Sequence, residues 1–278
     1  MSESTPESII LIKPKRGWQL IDFKELKQYR DLFYFLVLRD VKVKYKQTVL
    51  GAMWAVIQPF FTMIVFSLFL GKLAKVPSDN IPYPIFTYAA LVPWTYFANS
   101  LSGASDSLVG NTELISKVYF PRIIIPIAPV LSRLIDFIIS LGLLFIMMLY
   151  YHIAPTPYII VFPFLTLLMV MTAAGAGMWL SALNAHYRDI KYTVPFMIQL
   201  WMFASPVVYP SSMVPEKFRM WYGLNPMAGI IEGFRSILLG TVEFPYKMII
   251  ISTIFSTLIL ISGAMYFKRV ERYFADYI

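Results

Sequence analysis

The sequence predicts an all-α integral membrane protein: six transmembrane helices, an N-terminal amphipathic interface helix, and re-entrant outer helices between spans 5 and 6. Three observations carry that prediction. The 278 residues are 58% hydrophobic with a mean hydropathy of +0.64, and the apolar residues fall in long blocks. Several blocks approach the roughly 20 residues that a helix rising about 1.5 Å per residue needs to cross a hydrocarbon core of about 30 Å. The basic residues gather at the ends of these blocks, where Lys and Arg mark the cytoplasmic side.

Residues 1–48 read as a cytosolic tail followed by the interface helix. The first 30 residues are polar and lack the apolar core of a cleavable signal, so the first span is expected to serve as an uncleaved anchor. Between Asp22 and Gln47, Leu32, Phe33, Leu36, Val37 and Val41 recur near helical spacing beside Arg30, Arg39, Lys42, Lys44 and Lys46. This pattern describes a helix lying in the membrane surface, either anchoring the first span or acting as an elbow for a cytosolic partner.

Residues 49–268 form the transmembrane domain, with spans at about 49–70, 84–104, 123–151, 158–182, 193–208 and 248–267. The first is uncharged. The second carries Pro93-Trp94, and a proline within a span frees a carbonyl that neighbours must satisfy, which marks a buried or pore-facing helix. In the polar return loop, the stretch from Thr112 to Phe120 makes a short helix that stops before Pro121. The third span holds Arg133 and Asp136, three residues apart and so on one face, either as a structural pair or as part of a transport path. In the fourth, the small residues from Thr172 to Gly177 let helix backbones approach closely. Residues 209–240 are broken by Pro210, Pro215, Gly223 and Pro226. Their one continuous helical stretch, from Met227 to Leu239 with Glu232 and Arg235, is too short to span and reads as re-entrant. Residues 269–278 form a cytosolic tail. With both termini inside, cytosolic segments hold 17 of the 24 Lys and Arg, which favours this orientation over its inverse.

Absences narrow the chemistry. The chain has no Gly-x-x-x-x-Gly-Lys-Ser/Thr phosphate loop and no Gly-x-Ser-x-Gly elbow. His152 and His186 are the only histidines and form no zinc motif, and no Asp-x-Asp pair offers a divalent-metal site. Without cysteine there are no disulfides or thiolate sites. A net charge of +8 without a nucleic-acid motif reads as topology signals and contacts with lipid headgroups, not as a nucleic-acid surface. No catalytic or metal residues are therefore expected. Aromatic residues are in excess, with 18 Tyr, 22 Phe and 6 Trp. Many suit interfacial belts, but Trp54, Tyr88, Trp94, Tyr96, Trp201 and Phe203, with Gln58 and Phe61 of the first span, are candidates to line a substrate path. Aromatic faces stack on the C–H faces of sugars and leave the hydroxyls hydrated.

Five motifs occur in series: Leu50-Gly51-Ala52-Met53-Trp54-Ala55-Val56-Ile57-Gln58-Pro59, Tyr119-Phe120-Pro121-Arg122, Tyr187-Arg188-Asp189-Ile190, Ser205-Pro206-Val207-Val208-Tyr209, and Leu224-Asn225-Pro226-Met227 with Glu232-Gly233-Phe234-Arg235. In order and spacing they resemble the permease subunit of ABC-2-type bacterial polysaccharide exporters, which carry O antigen, capsule or teichoic acid. The resemblance implies a homodimer that engages two copies of a separate ATP-binding subunit, with ATP and Mg on that partner and no cofactor on this chain. It implies that residues 31–46, with Arg39 and Lys42, form the interface helix. The loop from Asn111 to Tyr119, including Glu113 and Lys117 and continuing to Arg122, would dock on the ATPase, with Tyr187, Arg188 and Asp189 as a second contact. Residues 211–239 would form the outer gate, and the first and fifth spans would move. The implied cargo is an undecaprenyl-linked polysaccharide, O antigen first among them, crossing the bacterial inner membrane in contact with its lipids. Other readings remain open: a drug or lipid exporter of the same fold, a membrane enzyme acting on lipid-linked sugars, and a passive scaffold. The enzyme would need carboxylates or bases beyond the intramembrane charges Arg133, Asp136, Glu232 and Arg235.

Overall fold

A computed structural model of the chain describes residues 23–46, 48, 50–187, 189–240, 244–271 and 274. Most of the expected N-terminal tail, the boundary residues Asp22, Gln47 and Val49, the coupling candidate Arg188, and most of the C-terminal tail lie outside these residues. Among the described residues every regular element is helical. The helices are α1 (Phe23–Gln28), α2 (Arg30–Tyr45), α3 (Trp54–Phe66), α4 (Tyr83–Gly110), α5 (Thr112–Lys117), α6 (Ile124–Ser132), α7 (Leu134–Tyr150), α8 (Phe162–His186), α9 (Ile190–Phe203), α10 (Glu216–Tyr222), α11 (Pro226–Leu239) and α12 (Tyr246–Val270).

Four helical stretches are long and apolar enough to cross a membrane: Gly51–Leu73, Ile124–Tyr150, Pro157–His186 and Tyr246–Val270. They correspond to the first, third, fourth and sixth expected spans. Two are composite. A 3₁₀ turn and a π-helical extension flank α3, and α6 meets α7 at Arg133 within one rod. The stretch around α3 is the least enclosed, with 17% of its apolar window buried against 33–39% in the other three, so its outer face is left for lipid or a second protein surface.

The expected second span differs in kind. At about 1.5 Å per residue, α4 is long enough to cross, yet it carries Thr87, Thr95, Asn99, Ser100, Ser105 and Asp106 and falls outside the apolar set. It is the central helix, packed on by α3, α6, α7, α8 and α11. A helix enclosed by protein on most sides needs no lipid-compatible surface, and of the two alternatives, buried or pore-facing, Pro93 and Trp94 are both buried.

The expected fifth span shortens to the 14 residues of α9, about 21 Å, after which the backbone turns through residues 204–209. Among the described residues between it and α12 lie two short α-helices, α10 and α11, of which the sequence had singled out only the second as a continuous helical stretch. The second, α11, buries every one of its residues. Pro226 sits in its first turn, the Asn225 side chain caps its start, and Gly240 (φ +65°) ends it in the left-handed conformation that glycine adopts without strain.

At the inner end, the expected continuous amphipathic helix breaks at Tyr29 into α1 and α2. The apolar face of α2 is covered by protein: Leu36 packs on Ile124 and Ala128 of α6, with Leu32, Phe33 and Val37 around them. The loop helix expected to reach Phe120 ends at Lys117.

Helices α8 and α12 cross with almost no space between them. A Cβ on Gly263 would stand 2.2 Å from the Gly175 carbonyl oxygen, and one on Gly175 would stand 2.6 Å from the Leu260 Cα. Both obstacles are backbone, so neither can rotate away. Gly263→Leu is therefore expected to destabilise the protein by at least the ~1–3 kcal/mol of core overpacking, read as a lowered midpoint of thermal unfolding in lipid nanodiscs. An unchanged midpoint would mean that the two helices do not meet here.

Candidate functional site

Two polar constructions stand out in this apolar fold, one at the Tyr83 end of α4, the outer end on the expected orientation, and an inner one against the middle of α4. The outer one is built on Arg235. Its guanidinium is fully buried, and every polar hydrogen bond it makes is to a fixed partner: Nη2 to the Val207 carbonyl (2.6 Å), Nε to the Phe86 carbonyl (3.2 Å), and Nη1 to the Tyr209 carbonyl (3.3 Å) and Glu232 Oε1 (3.1 Å). Its flat face lies 3.7 Å from the centre of the Phe86 ring. Glu232 in turn accepts the Ser211 backbone N–H at 3.0 Å, and Tyr83 Oη donates to the Val208 carbonyl at 2.6 Å. The three successive carbonyls of 207–209 thus all receive side-chain donors, as non-helical backbone within a membrane protein requires. Asn225 closes the other side: it accepts from Trp201 Nε1 (2.9 Å) and donates to Ser205 Oγ (2.8 Å) and the Ala204 carbonyl (3.2 Å), which ties the end of α9 to the start of α11.

The inner construction is a cavity of about 140 Å³ between α3, α4, the α6–α7 junction and the end of α2. Pro59 helps to build its wall. With no N–H, proline leaves the carbonyl four residues earlier unpaired, and Ser140 Oγ of α7 donates to that Ala55 oxygen at 2.8 Å. Tyr96 Oη reaches across to the Val130 carbonyl at 3.0 Å. Asp136 is the acidic centre. It accepts from both Lys44 Nζ and Tyr45 Oη of α2, while Arg133 Nη1 stands 3.6 Å away, near the limit for an ion pair. The Arg133–Asp136 pair expected within one span is therefore secondary, and the stronger partner comes from 92 positions away in sequence. Burial holds the Lys44 ammonium below its ordinary value against the opposing pull of the carboxylate, and burial followed by the hydrogen bond to Asp136 raises the Tyr45 phenol.

The residues expected to line a path separate into groups. Trp54, Gln58 and Tyr96 line the inner cavity together. Phe61 and Phe203 are exposed on α3 and α9. Tyr88 and Trp94 are core residues: Tyr88 Oη donates to the Ser140 carbonyl at 3.3 Å, and Trp94 packs beside Phe97. Trp201 is half-buried against Phe97 and held by Asn225. These eight do not form one continuous surface within the protomer.

The expected cytosolic contacts gather at the inner end of α4. Helix α5 follows α4 after Asn111 alone, and Arg39 Nη1 donates to Asn111 Oδ1 at 2.8 Å, so α2 is joined to the α4–α5 junction. Asn184 Nδ2 donates to the Ser105 carbonyl (3.0 Å) and Asp106 Oδ1 (3.2 Å), bringing the turn at Tyr187 and Asp189 to the same end. Lys42, Glu113, Lys117, Tyr119, Tyr187 and Asp189 are exposed there, Tyr119 to 68%. Arg122 is engaged internally: its backbone N–H and its Nη1 both bond to Glu271 beyond α12. Sequence reasoning missed Lys44, Tyr45, Thr95, Asn99, Ser140 and Asn225 as site residues. Only Asn225, an N-cap before Pro226, carried a local signal.

The ABC-2 type transporter family profile matches residues 31–239. The chain is 31% identical over 217 residues to the O-antigen export system permease protein RfbA of Myxococcus xanthus, covering 77% of this chain and 82% of the relative. It is 29% identical over 248 residues to the protein of the same name from Klebsiella pneumoniae, covering 88% and 94%. It is 22% identical over 203 residues to the polysialic acid transport protein KpsM of Escherichia coli, covering 71% and 77%.

The arginine hub makes a direct prediction. Arg235→Ala leaves Glu232 buried without its cation and strips donors from three carbonyls, at an expected loss on the order of 3–5 kcal/mol. The double variant Glu232→Gln/Arg235→Met removes both charges and should recover part of that loss. Thermal unfolding in nanodiscs checks both, and an Arg235→Ala protein within about 0.5 kcal/mol of wild type would contradict the hub.

Proposed function

The chain belongs to the ABC-2 type transporter family, and we propose that it is the membrane permease of an ATP-driven exporter of undecaprenyl-type lipid-linked O antigen. The observation that carries this reading is similarity over most of the chain to two O-antigen export permeases, with the polysialic acid transport protein as a more distant relative. The protein is multi-pass, and the proposed setting is the bacterial inner membrane with both termini in the cytosol, as the distribution of Lys and Arg favours.

In this reading the four apolar stretches are joined by α4 and by α9 with its following turns to make six crossings, and α10 and α11 form a re-entrant outer segment. Two copies of the chain form the permease. Each engages one copy of a separate ATP-binding subunit, which holds ATP and Mg. The exposed inner surface formed by α5, Tyr119 and the turn at Tyr187 and Asp189 supports that docking role, because it joins directly to the end of the central helix. Closure of the ATPase pair moves the first and fifth crossings and opens a path between protomers. The chain itself contributes passage, not bond chemistry.

Deleting the gene from its host should abolish surface O antigen while its lipid-linked form accumulates inside, and the wild-type gene should restore export. Tyr119→Ala combined with Glu113→Lys should lower ATP-dependent export at least about tenfold at an unchanged level of the chain in the membrane, the loss expected when one strong interface anchor is removed. Surface glycan measured by immunoblot against chain abundance checks this. Normal surface glycan in the deletion strain would overturn the reading.

A further inference from the structure

The inner cavity contains more hydrogen-bond donors than the protein uses. Among the described residues, the side chains of Gln58, Thr95 and Asn99 make no hydrogen bond, and Arg133 makes only its 3.6 Å ion pair. All four line the same cavity. Two amides, one hydroxyl and a guanidinium can all donate, whereas the one carboxylate, Asp136, is already occupied by Lys44 and Tyr45. With Lys44 and Arg133 set against Asp136, the cavity carries one positive charge in excess. A planar guanidinium with free N–H groups matches the paired oxygens of a phosphate, and the surrounding neutral donors suit the remaining oxygens.

Position narrows the ligand further. Arg133 is the tenth residue of the stretch Ile124–Tyr150, about 14 Å from its inner end. A charge at that depth faces a cavity or a partner, not hydrocarbon. The cavity opens beside Trp54 and Gln58, both exposed, and an exposed apolar face continues from there along α3 (Phe61, Val65) into its π-helical extension (Phe69). A ligand with an anionic head and a long apolar tail would satisfy both surfaces at once.

We propose that this cavity binds the diphosphate headgroup of a polyprenyl lipid carrier in the inner leaflet, with Arg133 as its charged anchor and Thr95 and Asn99 as neutral donors. The assignment rests on the reading of the chain as an exporter of a lipid-linked glycan. It adds the place where the carrier is held before the glycan moves. Trp54 at the mouth then faces the first sugar.

The test uses the full-length chain in nanodiscs containing undecaprenyl diphosphate, with the lipid that survives washing identified and quantified by mass spectrometry. The wild-type chain should retain undecaprenyl diphosphate in preference to phosphatidylglycerol. Arg133→Gln should retain at least about tenfold less, as expected for the loss of a charge-assisted hydrogen-bonded anchor, and Arg133→Lys should recover part of it. Asn99→Leu fills the cavity without changing its charge and should also reduce retention, which guards against misfolding of the arginine variant. Wild-type retention in both Arg133→Gln and Asn99→Leu would overturn the proposal, as would equal retention of phosphatidylglycerol. Displacement by inorganic pyrophosphate at equal concentration would assign the site to a soluble anion instead. Failure of the exporter reading is separate: it appears as surface O antigen in the deletion strain, whatever the nanodiscs retain.

Discussion

The outer half of this protein depends on one buried guanidinium. Between α9 and α11 the chain leaves helical geometry at the level of the core, and its carbonyls cannot turn to water. Arg235 reaches the carbonyls of 207 and 209, Tyr83 supplies the one between, and Glu232 both balances the charge and takes the Ser211 N–H. Five donors in a rigid fork make arginine suited to this task in a way that lysine, a compact point charge, is not. The complete burial of α11 follows from the same need, since a short helix surrounded by protein can carry the pair without exposing it to lipid.

The same accounting explains the inner half through a different device. Pro59 gives up one backbone donor, and Ser140 on a neighbouring helix replaces it, so a break in one helix becomes a link between two. Tyr96 makes a comparable link from α4 to the end of α6, near the point where the helix is interrupted at Arg133. These links hold α3, α4 and α7 apart by the width of polar side chains. The space they frame is the cavity, and its donors remain free because the frame is built from other groups.

The helical class and the short helix after Asn225 were legible from periodicity, length and prolines, because those signals are local. What faced what was not. Tyr88 and Trp94 read as path residues from their neighbours in sequence, but Tyr88 bonds to Ser140 of α7 and Trp94 is buried beside Phe97, and no single-chain pattern shows which faces a central helix buries. Arg133 and Asp136 could be paired from their spacing of three, whereas Lys44 and Tyr45 reach Asp136 from a separate element. Helix α10 went unread because seven residues after a proline leave too short a period to detect. Arg122 was assigned outward by its place in a motif, and its contact with Glu271, 149 positions on, carried no local signal.

Helix α4 connects these two halves mechanically. Its Tyr83 end is fixed to the non-helical segment by Tyr83 and by the Phe86 carbonyl, and its other end is fixed by Asn184 to α8 and by Asn111 to α2. Between those points the backbone is one helix of 28 residues, and Pro93 within it lies buried where neighbours restrain it. A helix held by polar bonds at both ends, and packed along most of its length, moves as a rod more readily than it bends. On the proposed reading, an ATPase pulling on α5 and the adjoining turn therefore acts on the outer segment without any further relay. The inner cavity lies along the same rod, between the surface that is pulled and the segment that must open. Occupancy of its donors by a headgroup and displacement of α4 are then coupled through shared side chains, Thr95, Tyr96 and Asn99, which belong to the cavity and to the rod at once.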